Sequence, residues 1–393
     1  MARNGFVIWA ALALWIAASS RGAPADAFES EAPFAVLVDF DSGETLYAKN
    51  ADQPMAPAST AKLMTAEIVF SKLKSGALHL DDQFFVSEHA WRTGGAHAHG
   101  SAMFLDVKSR VRIEDLLRGL IVQSGNDAAI VLAEGVAGTE ENFALQMNER
   151  AAELGMTNSN FTSPWGKPDP KQVVTAFDMA RLAAYIIRNY PEYYHFFGER
   201  EFTWNKIRQL NRNPLLGSDL GVDGLKTGDT TESGFGLIAS GTLGGRRLIE
   251  VVNGLKTGAE RADEARRLLA YGLKDFDRAE VFASDSVVGF ADVYGGAEGS
   301  VPLVAEAPIA LDTPRGVAEK VRAEIVYLGP LVAPIAAGAE LAHLRIWRGD
   351  LLAVDAPLKT ERAVAVGGLG SRAIDATLAL AGDWLRRTFT RTK

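Results

Sequence analysis

The chain of 393 residues contains no cysteine. That absence removes a disulfide framework, a thiolate metal site and a cysteine nucleophile, and it identifies no compartment by itself. Basic residues are outnumbered: 41 Lys and Arg face 49 Asp and Glu, and the formal charge of −8 argues against nucleic acid as a general partner. Structural repeats are absent as well. Gly-Leu-Lys-Thr-Gly occurs at 224–228 and again at 254–258, but the flanking residues do not match. What remains is ordinary for a globular protein, 47% hydrophobic and 23% charged. The length suits two domains or a large one with an appendage.

The ends carry address information. Arg3 is followed by the apolar run Gly5–Ala18, which is short for a membrane span, and by the small-x-small triplet Ala25-Asp26-Ala27. This is the pattern of a secretory signal peptide over 1–27, with an uncleaved anchor as the competing reading. At the other end, 367–393 reads as an amphipathic helix with Ile374, Leu378, Ala381 and Leu385 on one side. Five cations against two acids from Ser371 onward favour a membrane-surface anchor over a helix packed on the preceding domain.

Between the ends, hydrophobic period divides the chain in two. Ala35–Phe40 and Thr45–Ala48 flank Asp41-Ser42-Gly43-Glu44 and predict a hairpin. Helical periods follow over 113–123, 127–136, 140–154 and 175–189, and strand character returns at Gly234–Ser240 and Arg247–Asn253 before a helix over 259–271. Strands at both ends with helices between them predict one sheet assembled from distant segments, with a helical subdomain inserted, over 28–275. Short alternating runs between Gly/Pro turns predict a small all-β domain over 276–366. The fold class is therefore α+β.

The chemistry gathers at Pro57-Ala58-Ser59-Thr60-Ala61-Lys62. Ser59 and Lys62 share a helix face with Ala66, Val69, Phe70 and Leu73, so Lys62 lies in an apolar stripe behind a hydroxyl. Burial disfavours the ammonium and turns Lys62 into a candidate base, while the start of the helix favours negative charge developing at Ser59. A second S-x-x-K, Ser71/Lys74, shares a face with Glu67 and reads as a polar set in water. Ser124-Gly125-Asn126 and Lys226-Thr227-Gly228 complete the ordered set S-x-x-K, S-x-N, K-T-G, a trio known from penicillin-binding proteins and class A β-lactamases. Lys226 precedes a Gly-rich strand, whereas Lys256 of the second K-T-G sits between a strand and a cationic helix and reads as a loop lysine.

With these motifs, and with Leu37-Val38-Asp39, Gln123–Asp127, Leu210–Asn213 and Val222–Gly228, the chain resembles the low-molecular-mass penicillin-binding proteins, the serine D-alanyl-D-alanine carboxypeptidases. The resemblance implies removal of the terminal D-alanine from peptidoglycan stem peptides through an acyl-enzyme that β-lactams imitate. It implies Ser59 as nucleophile, Lys62 as base and Ser124 as proton relay. Asn126, Lys226, Thr227, Gly228 and Arg212 would bind substrate, and the backbone N–H groups of Ser59 and Asp229 would form the oxyanion hole. It also implies an exported, periplasmic protein held at the membrane surface by its carboxyl-terminal helix, with no cofactor.

Two positions depart from the family pattern. Asp229 stands where relatives carry histidine or an aromatic residue, and a carboxylate there repels a substrate carboxylate unless it turns away or pairs with a cation. Trp165, in Ser163-Pro164-Trp165-Gly166, replaces a histidine found in some relatives and is expected to shape the rim. His97 and His99 lack a third ligand nearby in sequence, so no metal is expected. A β-lactamase is the nearest competing reading, but no E-x-x-L-N pattern supplies its deacylating glutamate. A D,D-endopeptidase and a catalytically weak penicillin-binding scaffold are also compatible with the motifs.

Overall fold

A computed structural model describes the backbone of residues 6–12, and residues 28–317 and 319–369. Most of the expected leader and the expected amphipathic tail beyond residue 369 lie outside the described residues. Among the described residues the chain forms two compact units, one over 28–275 and a second that contains Phe6–Leu12 together with the residues from 276 to 369.

The first unit is built on a five-stranded antiparallel sheet in the order Thr45–Lys49, Phe34–Asp39, Arg246–Leu255, Gly234–Leu243, Val222–Thr230. An amino-terminal strand therefore pairs with one far along the chain, Val36 lying opposite Val251. The insertion between them is helical, and the expected periods appear as Ile113–Ile121, Asn126–Ala137, Glu140–Glu153 and Ala176–Asn189. The side chains of Thr139 and Thr175 accept from the backbone N–H groups of Asn142 and Asp178, which explains why two of these helices start where they do. Helix Lys62–Lys74 runs through the middle, with every residue from Lys62 to Phe70 buried. It has no solvated face along that stretch, as befits a helix surrounded by others.

This corrects the reading of Glu67. The sequence pattern places it in water with Ser71 and Lys74, but Glu67 is fully buried, accepting from Arg150 Nη2 at 2.7 Å, Arg150 Nε at 2.9 Å and the Tyr190 hydroxyl at 2.9 Å. A single charge can be buried where a guanidinium fork reaches it from another helix, and helical period alone carries no sign of that distant partner. Ser71 is half-buried and Lys74 exposed, donating to the Asn189 carbonyl.

The second unit is all-β. Its main sheet runs Phe6–Leu12, Val321–Gly329, Glu340–Arg348, Leu351–Thr360, Ser300–Ala305, Val287–Tyr294, Leu331–Val332, and Phe276–Phe282 pairs separately with Ile309–Pro314. Alternate residues such as Ala323, Ile325 and Tyr327, with Leu344 and Ile346, form its core, the period-2 burial expected of strands. Among the described residues, no helix is long and apolar enough to cross a membrane.

Candidate active site

Three pieces of chain meet at one end of the sheet in the first unit. Ser59 lies in the 3-10 turn Ala58–Ala61, which runs directly into helix Lys62–Lys74. Ser124 follows helix Ile113–Ile121 with φ +64, and Asn126 opens the next helix. That tight junction is tied down by Asp127, whose carboxylate accepts from the N–H groups of Met103, Leu105 and Ala128. Lys226-Thr227-Gly228 occupies Val222–Thr230, the edge strand of the sheet, so one row of its backbone groups faces the cleft instead of another strand. Asn213 Nδ2 donates to the Gly224 carbonyl at 2.9 Å and holds the loop that carries Arg212 against this strand.

Lys62, only 1% exposed, makes three contacts through Nζ: Ser59 Oγ at 2.8 Å, Asn126 Oδ1 at 2.7 Å and the Trp165 carbonyl at 2.8 Å. The last two partners can only accept hydrogen bonds, whereas the Ser59 hydroxyl can accept or donate. A neutral amine has two N–H groups and one lone pair. Giving both N–H groups to the two carbonyl oxygens leaves that lone pair for the Ser59 proton. Burial first, then the charges of Lys226 and Arg212, push the Lys62 ammonium well below the ordinary lysine range, against a smaller opposing pull from Asp127 and Asp229.

Lys226, 2% exposed, donates to Ser124 Oγ at 2.9 Å and to the Thr227 carbonyl at 3.0 Å. Burial and the charges of Arg212 and Arg261 push it down to about 7. The charge of Lys226 disfavours the Lys62 ammonium, and the two neighbouring amines titrate as a pair. Ser124 and Asn126 are buried beside these amines and Thr227 is buried on the strand, so the fold brings the three motifs together. Arg212 is exposed, within electrostatic reach of both lysines.

Gly228 also has a reason within the fold to lack a side chain. A Cβ there would lie 2.9 Å from Thr60 N, 3.0 Å from the Pro57 carbonyl oxygen and 3.1 Å from Ser59 N. The missing side chain therefore lets the edge strand press against the turn that carries Ser59. The second K-T-G is also explained: Thr257 accepts from Glu260 N at 3.1 Å as the N-cap of helix Gly258–Lys274, and Lys256 is exposed. His97 packs edge-on against Trp91 at 4.5 Å. Among the described residues, no group of three or more His, Cys, Asp or Glu side chains is placed to hold a metal.

Two contributors escape sequence reasoning. Trp165 does more than shape a rim, because its carbonyl holds Lys62; a backbone carbonyl leaves no mark on residue type. Arg261 is the other. It stacks over Phe235, the cross-strand partner of Asp229, and its charge bears on Lys226. Burial pushes the Arg261 guanidinium down, Asp229 pulls it up and Arg212 adds to the downward push. Asp229 is thus opposed by cations. Nothing in the spacing of Arg261 from the motifs announces this, because the contact is made across a strand and a helix.

A family model for D-alanyl-D-alanine carboxypeptidase, peptidase S11, matches residues 19–257, and one for the carboxyl-terminal domain of penicillin-binding protein 5 matches 276–366. D-alanyl-D-alanine carboxypeptidase DacC of Escherichia coli is 38% identical over 358 residues, 90% of each chain. The crystal structure of penicillin-binding protein 5 from Haemophilus influenzae superposes with a TM-score of 0.72 at 37% identity, covering 87% of this chain and 99% of that one. Penicillin-binding protein D2 of Listeria monocytogenes in its cefotaxime-bound form superposes at 0.55 with 30% identity, covering 64% of this chain and 100% of that one. With its S-x-x-K, S-x-N and K-T-G motifs brought to one cleft, the chain belongs to the D-alanyl-D-alanine carboxypeptidase family, peptidase S11.

Proposed function

We propose that the protein is a serine-type D-alanyl-D-alanine carboxypeptidase that removes the terminal D-alanine of peptidoglycan stem peptides through an ester on Ser59. The observation that carries this reading is the set of three contacts at Lys62 Nζ, which reserves the amine lone pair for the Ser59 hydroxyl. Ser59 Oγ attacks the penultimate carbonyl as its proton passes to Lys62. The developing oxyanion meets the N–H groups of Ser59 and Asp229, a pairing supported by the close approach of Gly228, the neighbour of Asp229, to Ser59 N. Ser124, accepting from Lys226, keeps its O–H free to protonate the departing amine and recovers a proton from the Lys226 ammonium. Water then takes the place of the departed amine and the same proton path runs in reverse. Lys226, Thr227 and Arg212 bind the terminal carboxylate, and Asn126 binds the substrate amide.

The same site takes β-lactams as substrate mimics, in line with the antibiotic-bound Listeria relative. Export to the periplasm by the 1–27 segment and attachment to the membrane surface by 367–393 belong to this proposal and rest on the sequence patterns alone. Release of D-alanine from a peptide ending in D-Ala-D-Ala, abolished in Ser59→Ala, is the expected result. Release undiminished by that substitution overturns the assignment.

Asp229 sets the strength of the carboxylate pocket. Its charge offsets part of the field of Lys226 and Arg261, so Asp229→Asn is expected to raise kcat/KM for a carboxylate-terminated peptide by about two- to five-fold, the size of an exposed charge interaction. A peptide ending in a carboxamide serves as the control and is expected to show no gain.

A further inference from the structure

The carbonyl that holds Lys62 belongs to the peptide bond between Trp165 and Gly166. Gly166 sits at φ +85, and glycine takes either sign of φ, so backbone preference alone does not fix which way this peptide plane faces. The N–H on the same plane is held loosely. Gly166 N donates to Ser163 Oγ at 3.2 Å, and that oxygen also accepts from Lys167 N at 2.9 Å.

The Trp165 side chain supplies a second hold. Its indole N–H donates to Glu140 Oε2 at 3.0 Å. Glu140 is the first residue of helix Glu140–Glu153, directly after the Thr139 cap, where the helix dipole favours a carboxylate. Its other oxygen, Oε1, lies 2.7 Å from His89 Nε2. A carboxylate only accepts, so Nε2 carries the proton, and in the neutral imidazole Nδ1 accepts from the Thr93 hydroxyl at 3.3 Å. Both oxygens of Glu140 are thus engaged, one by His89 and one by Trp165, and the side chain is only 15% exposed. No step of the reaction outlined above uses Glu140.

We propose that Glu140 is a positioning residue for acylation: through the indole of Trp165 it keeps the Trp165 carbonyl on Lys62 Nζ. The inference rests on the reading of Lys62 as the base for Ser59. Without the indole tie the carbonyl withdraws and one N–H of the neutral amine is freed. Lys62 then donates that N–H to Ser59 Oγ, and its lone pair no longer meets the Ser59 proton.

Acylation of the full chain by penicillin, resolved into an affinity and a first-order rate constant, tests this. Glu140→Ala and Trp165→Phe are each expected to lower the rate constant by about 10- to 10²-fold, the cost of a small misplacement of a reacting group, with the affinity unchanged. The double variant is expected to be no slower than the slower single one, because both substitutions remove the same tie. Glu140→Gln keeps an acceptor for the indole but loses the charge at the helix start. It is expected to acylate close to the unsubstituted rate, while its unfolding midpoint falls along with that of Glu140→Ala. Unchanged rates in both single variants, a loss confined to affinity, additive losses in the double variant, or Glu140→Gln as slow as Glu140→Ala overturn the positioning role while Ser59 acylation stands. Absence of acylation at Ser59 in the unsubstituted protein overturns the reading of the site itself, and the positioning role with it.

Discussion

Lys62→Met is expected to slow acylation of Ser59 by penicillin by about 10²- to 10⁴-fold, the range for losing a positioned general base. Methionine fills much the same volume in a helix that is buried all round, so the fold is retained and the loss reports chemistry. Lys62→Arg is the sharper variant. It keeps a cation beside Ser59, Asn126 and Trp165 but cannot give up its proton at any working pH, and it is expected to be as inactive as methionine. If arginine restored activity, a fixed positive charge, and not a proton acceptor, would be what Ser59 requires.

The pH profile carries the same argument with a sign on each limb. Lys62 works deprotonated, so kcat/KM rises as pH rises through its lowered range. Lys226 works protonated, and with its value pushed down to about 7 the activity falls again as pH rises past that point. A bell is therefore expected in kcat/KM. Removing the substrate carboxylate makes the alkaline limb shallower without abolishing it, because Lys226 loses its anion-binding role there but still returns a proton to Ser124.

Gly166→Ala is expected to be the most damaging single methyl group in the first unit. Gly166 has φ +85, and its new Cβ would lie 1.8 Å from the Ala58 carbonyl oxygen and 2.3 Å from its carbon, both rigid backbone atoms. The loop must withdraw, taking with it the neighbouring Trp165 carbonyl that holds Lys62. Acylation and thermal stability are expected to fall together. Gly138→Ala supplies the comparison, since Gly138 has nearly the same φ, +82, with nothing within 4 Å of the added atom. There only the backbone cost of about 1–2 kcal/mol applies, and acylation is expected to be unchanged. Equal effects at the two glycines would contradict the claim that the 163–170 loop braces the nucleophile turn.

How far this molecule is legible from its residues depends on where each interaction is made. Ser59 and Lys62 are three residues apart in one continuous turn and helix, so helical geometry alone puts their side chains together. The hairpin over 34–49 and the strands at 234–255 are visible in local period for the same reason. Joining S-x-x-K to S-x-N and K-T-G needs the family resemblance, because contacts such as Lys226 to Ser124 span 102 residues and no local pattern encodes them. Glu67 is misread from the sequence because period records which face a residue occupies and not that Arg150 arrives there from another helix. Trp165 and Gly166 contribute through a carbonyl and through the absence of a Cβ, and neither leaves a chemical signature in the sequence. Asp229 is anomalous by motif alone, and only the fold sets the Arg261 charge against it.

The central claim is that the amine of Lys62 and the hydroxyl of Ser59 form one unit that opens an amide by making an ester. Labelling the protein with a penicillin and locating the adduct by peptide mass spectrometry tests it most directly. The account predicts a single adduct on the peptide containing Ser59, formed slowly or not at all in Lys62→Met. An adduct on any other side chain, or labelling that proceeds at full rate without Lys62, would contradict it.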